Sequence, residues 1–229
     1  MGKSIAIITA RGGSKRIPKK NIRNFLGKPM ISYSIDIALD SKLFDIVMVS
    51  TDNEEIATIS KQYGAEVPFL RSQENSDDFA TTADVLLEVF NDYSKFGIQF
   101  DIACCIYPTA PLLTIKNLIN AHRKFTENNF DTLFPIVQYS YPIQRSLKIV
   151  GDKVGMVWPK YLKERSQDLE LRYHDAGQFY WLIVRRFIEH KKLFTKNSGV
   201  LELSDLFVQD IDNKSDWKLA ELKYKLIFK

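Results

Sequence analysis

Residues 4–9 read Ser-Ile-Ala-Ile-Ile-Thr, an unbroken apolar run that predicts a strand buried on both faces of a parallel sheet. After a polar, basic stretch, Gly27-Lys28-Pro29 breaks the chain, and Met30, Tyr33, Ile35, Ile37 and Ala38 carry helical spacing to about Lys42. Residues 46–51 are a second apolar strand, and Asp52 with Asn53 can cap a helix over 54–63 that Gly64 stops. A short strand over 66–70 follows, then an amphipathic helix over 83–93 with Val85, Leu86, Val89 and Phe90 on one side. Residues 101–107 form another apolar strand, ended by Pro108-Thr-Ala-Pro111, and 115–128 is helical. This alternation predicts an α/β fold around a parallel sheet with right-handed crossovers.

From about Thr132 the rhythm changes. Strand-like 133–138 gives way to short, aromatic, turn-rich pieces through Tyr173, with Gly151-Asp152-Lys153 as a hairpin turn. Residues 177–184 resume as a strand, 185–191 as a short helix, 199–203 and 207–209 as strand pieces, and 215–227 as a C-terminal helix capped at Ser215. The 139–176 block is too short to fold alone. It is expected to be an arm inserted in one domain spanning 1–229, packed on the core or on a second subunit.

Composition adds bounds. Of 229 residues 45% are hydrophobic, enough to bury a sizeable core and to exclude a disordered chain. The net charge of +4 is mild, so the overall balance implies no nucleic-acid partner. Cys104 and Cys105 are adjacent in an apolar run, arranged neither as a disulfide nor as metal ligands. No run approaches the ~18 apolar residues of a membrane span, and no signal-type opening precedes the first strand; a cytoplasmic protein without membrane contact is expected.

Charge is concentrated in one place. Directly after the first strand, Arg11, Lys15, Arg16, Lys19 and Lys20 put five cations within ten residues, beside Gly12-Gly13. Adjacent glycines permit φ > 0 and let backbone N–H groups converge on an anion, and Pro18 stiffens the loop. The spacing fits neither G-x-x-x-x-G-K-[ST] nor G-x-G-x-x-G. A solvated basic turn is one reading and a phosphate site the other; the position after a buried strand favours phosphate, because ligands of open α/β sheets sit outside the carboxyl ends of the strands.

Three further clusters carry possible chemistry. Asp210-Ile211-Asp212 follows a strand-like piece, and in an extended chain both carboxylates lie on one side, which suits Mg²⁺; alternatively Asp212 merely opens the turn to the last helix. Gln144-Arg145 is suited to an acidic sugar through a forked guanidinium, with a plain surface arginine as the alternative. His174-Asp175 reads as a structural pair more than an acid–base dyad, and no serine sits on a G-x-S-x-G turn. A basic loop, a carboxylate pair and no nucleophile describe a phosphoryl-transfer site. A glycosyltransferase with a D-x-D metal pair and a silent nucleotide-binding module are the competing classes.

The order of motifs resembles one family. Ile8-Thr9-Ala10-Arg11-Gly12-Gly13-Ser14-Lys15-Arg16-Ile17-Pro18, with Lys20-Asn21, is similar to the opening motif of the acylneuraminate cytidylyltransferases. Gly27-Lys28-Pro29-Met30, Val49-Ser50-Thr51-Asp52, Gly64-Ala65-Glu66-Val67-Pro68-Phe69, Pro108-Thr109 with Pro111, and Val208-Gln209-Asp210-Ile211-Asp212 continue the match. Tyr107, Pro142-Ile-Gln-Arg145, Arg165-Ser-Gln-Asp168 and Ala176-Gly-Gln-Phe-Tyr180 resemble the branch that acts on pseudaminic acid, and depart from the sialic acid pattern in the sugar pocket.

The resemblance implies a Rossmann-like, mostly parallel nucleotide-sugar transferase sheet with helices on both faces and a small β-rich dimerisation arm. It implies CTP and an acidic nine-carbon sugar as substrates, Mg²⁺, and a homodimer whose arm reaches the neighbouring site. By matching positions, Arg11 and Lys15 would act on the phosphates, and Ala10, Gly13, Ser14, Asn21, Arg71, Ala80 and Thr82 would complete the nucleotide site. Tyr107, Gln178 and Tyr180 would face the sugar, with Gln144, Arg145 and Arg165 from the arm, and Asp210 and Asp212 would hold the metal. Cytidylyltransferases for legionaminic, N-acetylneuraminic or 3-deoxy-octulosonic acid are the near alternatives.

Overall fold

A computed structural model describes residues 2–228. In chain order its elements are β1 (Ser4–Thr9), β2 (Asn24–Phe25), β3 (Lys28–Pro29), α1 (Met30–Ser41), β4 (Ile46–Ser50), α2 (Glu54–Gln62), α3 (Thr82–Lys95), β5 (Ile102–Ile106), α4 (Ile115–Glu127) and β6 (Thr132–Gln138). The second half adds β7 (Leu147–Val150), β8 (Lys153–Met156), β9 (Tyr173–Asp175), β10 (Phe179–Ile183), α5 (Val184–His190), β11 (Ser198–Leu203) and α6 (Lys214–Phe228).

The main sheet runs β11-β6-β10-β5-β1-β4, with β9 on β6. The strands β4, β1, β5, β6 and β11 point one way, and β10 and β9 point the other, since β10 pairs antiparallel with both β5 and β6. Alternation along each strand divides the buried side chains between two faces. Ala6 and Ile8 of β1, Cys104 and Ile106 of β5 and Trp181 of β10 pack under α1, α2 and α4. Ile5, Ile7, Met48, Ala103 and Cys105 pack under α3 and α5. Helices therefore cover both faces, as the unbroken apolar strands require.

Trp181 shows how much one side chain carries. It is fully buried, lies 5.2 Å from the Phe44 ring at an interplanar angle of 14°, and is flanked by His122 at 4.7 Å. Partial burial of the His122 imidazole itself, by disfavouring its charged form, keeps its pKa below the usual value. Trp181→Ala is expected to cost about 3–5 kcal/mol through lost burial and a cavity, read as a lower urea midpoint.

Local chemistry accounts for several boundaries. Asn53 Oδ1 accepts the Ile56 N–H at 3.0 Å and starts α2, and Thr81 with Asp84 makes a reciprocal cap on α3. The Gly151-Asp152 turn closes β7 on β8, with Gly151 at φ +60°. This hairpin forms a separate two-stranded sheet in the 139–176 arm, and Leu147, Ile149, Val150 and Val154 on it are exposed. Among the described residues no helix is long and apolar enough to cross a membrane.

Three sequence expectations are corrected. Residues 66–70 do not form a strand: a single parallel bridge joins Glu66 to Met48, and Pro68 lacks the N–H that a continued ladder needs. Residues 207–209 are not strand either, because Ser204 accepts the Leu206 N–H and winds Asp205–Phe207 into a tight helical turn. The last helix is capped by Asn213 rather than Ser215: Asn213 Oδ1 accepts from Asp216 N at 3.1 Å while Asp216 Oδ2 accepts from Asn213 N at 2.9 Å.

Candidate functional site

The basic loop leaves the carboxyl end of β1. Ala10, fully buried, donates its N–H to Ser50 O at 2.9 Å, and the loop then folds on itself through Ser14 Oγ to Ile17 O at 2.7 Å and Asn21 Nδ2 to Arg11 O at 2.9 Å. Gly12 N donates to Asp52 Oδ1 at 2.8 Å, so Asp52 ties the loop down while Asn53 alone caps α2. Neither Gly12 nor Gly13 takes positive φ, contrary to the sequence expectation; the left-handed residue in the loop is Lys19, at φ 52°. Glycine at 12 answers a close approach instead, because a Cβ there would lie 3.0 Å from Asn53 Cβ. Gly13 has open space beside it.

A cavity of about 490 Å³ opens at the carboxyl ends of β1 and β5. Arg11, Ser14, Lys15, Asn21, Arg71, Ala80, Thr82 and Tyr107 all line it, so eight positions predicted for the nucleotide and the sugar meet there. Arg71 is buried, donating from Nε to Ser50 Oγ at 3.0 Å and from Nη2 to Ser50 O at 2.5 Å; burial holds its pKa below the usual guanidinium range. The Tyr107 hydroxyl lies 3.2 Å from Thr82 Oγ1, and its N–H donates to Gln178 O at 2.8 Å. Behind it the Tyr180 ring is 5.5 Å away, and the Tyr180 hydroxyl donates to the Asp175 carboxylate. Burial pushes both phenols upward, so neither ionises near neutrality.

Every cation of the loop meets an acid. Arg11 contacts Asp78 at 2.8 Å, Lys15 contacts the other oxygen of the same carboxylate, Arg16 contacts Asp212 at 2.6 Å and Lys19 contacts Glu55 at 2.6 Å. Lys20 sits 4.0 Å from Asp212 and donates to Ile211 O at 2.8 Å. Burial lowers the Lys20 pKa against the opposing pull of Asp212 and Asp210. The Asp78 carboxyl is held below the usual range by hydrogen bonds from Lys15, then Arg11.

An apolar contact brings the late carboxylates to the early loop. Ile211 is fully buried in a cluster with Ile17, Phe25 and Trp217, so Asp210 and Asp212 on either side of it are left outward beside Arg16 and Lys20. Two carboxylates with no third protein ligand fit Mg²⁺, which completes its octahedron with water and phosphate oxygens. Among the described residues no group of three or more His, Cys, Asp or Glu side chains is placed to hold a metal without such help.

The remaining predicted residues lie elsewhere in the protomer. Gln144 is buried in the arm with Nε2 donating to Glu170 O at 2.7 Å, Arg145 donates to Ser166 Oγ at 3.2 Å, and Arg165 pairs with Asp168 at 2.7 Å. None of the three lines the cavity. Gln178 is buried behind Tyr107, its Nε2 on Phe207 O at 2.5 Å and its Oε1 without a partner. His174 lies tilted against Tyr139 at 4.7 Å with Nδ1 2.9 Å from the Asp175 backbone O, while the Asp175 carboxylate takes the Tyr180 hydroxyl instead. Sequence reasoning missed Asp77 and Asp78, which line the cavity. They belong to no motif, and only the approach of residue 78 to residue 11 reveals them.

Comparison with known proteins bears on the chain as a whole. The family model described as Cytidylyltransferase matches residues 5–224. The chain is 43% identical over 225 residues to a pseudaminic acid cytidylyltransferase of Campylobacter jejuni, covering 98% of this chain and 97% of that protein. It is 32% identical over 228 residues to a CMP-N,N'-diacetyllegionaminic acid synthase of Legionella pneumophila, covering 95% and 94%. Among solved structures, CMP:2-keto-3-deoxy-manno-octonic acid synthetase complexed with CTP superposes with a TM-score of 0.71 at 16% identity, covering 98% of each chain, a likeness of fold.

Proposed function

This chain belongs to the cytidylyltransferase family and is a CTP-dependent nucleotidyltransferase, and from that premise we propose that it transfers CMP from CTP to the anomeric hydroxyl of pseudaminic acid, releasing pyrophosphate. The observation that carries the reading is the convergence of Arg11, Ser14, Lys15 and Asn21 with Arg71, Ala80, Thr82 and Tyr107 on one cavity at the strand ends. The sugar hydroxyl gives up its proton to solvent and its oxygen forms a bond to the α-phosphorus as the bond from that phosphorus to the bridging β-phosphate oxygen breaks, and pyrophosphate leaves with that electron pair. Arg11 and Lys15 hold the phosphates and oppose the charge that develops on the leaving group. Asn21 and Ser14 shape the loop that presents them. Asp210 and Asp212 would hold Mg²⁺, whose chemistry when bound is neutralisation of the pyrophosphate charge.

The sugar would rest against Tyr107, with the Gln178 carbonyl holding the Tyr107 backbone and the Tyr180 ring lying behind its ring. The exposed apolar residues of the β7-β8 hairpin support a homodimer in which Gln144, Arg145 and Arg165 approach the neighbouring site. The experiment is pyrophosphate release from CTP with pseudaminic, legionaminic, N-acetylneuraminic and 3-deoxy-octulosonic acids in turn. Pseudaminic acid is expected to give the highest kcat/KM. A higher value with another acid reassigns the sugar, and turnover of a nucleotide sugar without pyrophosphate release would point to a glycosyltransferase instead.

A further inference from the structure

We infer that Asp78 is an internal competitor for the phosphate-binding cations, and that its return to Arg11 and Lys15 promotes departure of pyrophosphate. The inference rests on the reading above, in which those two side chains hold the phosphates. Asp78 places one carboxylate oxygen on Arg11 Nη1 at 2.8 Å and the other on Lys15 Nζ. Both cations are thus claimed by a carboxylate of the chain at the same atoms with which they would grip a phosphate.

The segment that carries Asp78 is fastened at its ends and not in its middle. At the near end, Glu88 of α3 accepts from Ser72 N at 2.7 Å, from Ser72 Oγ at 3.0 Å and from Asn75 Nδ2. At the far end the Thr81–Asp84 cap joins the segment to α3. Between them Phe79 is 89% exposed, so its ring does not anchor the middle to the core. What draws residues 77 and 78 to the loop is polar: the two Asp78 pairs and Arg11 Nη1 on Asp77 O at 2.9 Å. Ion pairs as open as these, with side-chain exposures of 41% for Arg11, 77% for Lys15 and 43% for Asp78, are weak enough to exchange with an incoming anion. Two phosphoryl groups outcharge one carboxylate, so a polyphosphate displaces Asp78, and a tethered carboxylate remains beside the cations to compete once the bond to the α-phosphate is broken.

The test measures binding of inorganic pyrophosphate by calorimetry, and its inhibition of turnover, for the full chain and for Asp78→Asn. Pyrophosphate is expected to bind the variant roughly two- to thirty-fold more tightly, and KM for CTP to fall while kcat does not rise. Asp78→Ala is expected to behave likewise, and Asp78→Glu to restore wild-type affinity. Cytidine, which has no phosphate, is expected to bind all four proteins equally. Unchanged or weaker pyrophosphate binding by Asp78→Asn overturns the inference, as does a parallel change in cytidine affinity. Lys15→Ala separates the two levels: if it weakens pyrophosphate while Asp78→Asn does not tighten it, only the competitor role fails. If Lys15→Ala leaves pyrophosphate binding unchanged, the phosphate reading of the loop fails and the competitor role falls with it.

Discussion

Lys15→Ala is expected to lower kcat by about 10²–10³ while the protein stays folded. Removing one charge-stabilising donor from a site of developing charge typically costs that much. The fold should not notice the change. The Lys15 side chain is 77% exposed and pairs with Asp78, and substitutions at such surface positions usually move stability by less than about 0.5 kcal/mol. Pyrophosphate release under saturating CTP and sugar reads the first effect, and a thermal melt by circular dichroism reads the second. Near-normal turnover would remove Lys15 from the chemistry and return the loop to an ordinary basic turn.

The second large effect is expected at Asp212. Asp212→Ala should abolish Mg²⁺-dependent turnover, a loss of at least about 10²-fold, given the several kilocalories per mole of charge stabilisation that a bound divalent ion supplies. The variant also leaves Arg16 without its acidic partner, so some loss of the loop's order is included in the measurement. A Mg²⁺ titration separates the two contributions: failed metal binding moves the midpoint, whereas loosening of Arg16 lowers the plateau. A titration curve superposable on that of the wild-type protein would take Asp212 out of the metal site.

Much of the arrangement was legible because it is written in short-range signals. The run at 4–9 has no polar interruption, so burial on both faces was the only stable outcome, and the loop after it had to emerge at a strand end. Gly151-Asp152 specified a two-residue hairpin in an otherwise irregular stretch. What stayed hidden depends on distant partners. Nothing within 179–183 says that this strand runs against β5 and β6, because an apolar run reads the same in either direction. The 66–70 stretch has strand-like composition, and Pro68 reduces it to one bridge. Asp78 belongs to no sequence motif; its meaning comes from a contact 67 residues away along the chain.

The site residues divide in the same manner. Arg11, Ser14, Lys15 and Asn21 belong to one contiguous loop, and sequence order places them together. Gln144, Arg145 and Arg165 belong to an arm whose position relative to the cavity no local pattern encodes, and within the protomer they bond to one another's surroundings in the arm. The glycine pair was read correctly as permissive but for the wrong conformational reason, since crowding by Asn53 and not a left-handed backbone selects Gly12.

The buried contact between Ile17 and Ile211 has a consequence for how the enzyme is made. Arg16 and Asp212, which it brings together, are separated by 196 positions along the chain. A ribosome delivers the cationic loop well before the aspartates, so the first strand and its five charges wait through the translation of the whole sheet before these neighbours arrive. During that interval Asp78 and Glu55 are already present to neutralise Arg11, Lys15 and Lys19. The nascent protein thus carries acidic partners for part of its anion loop long before it can carry out a reaction.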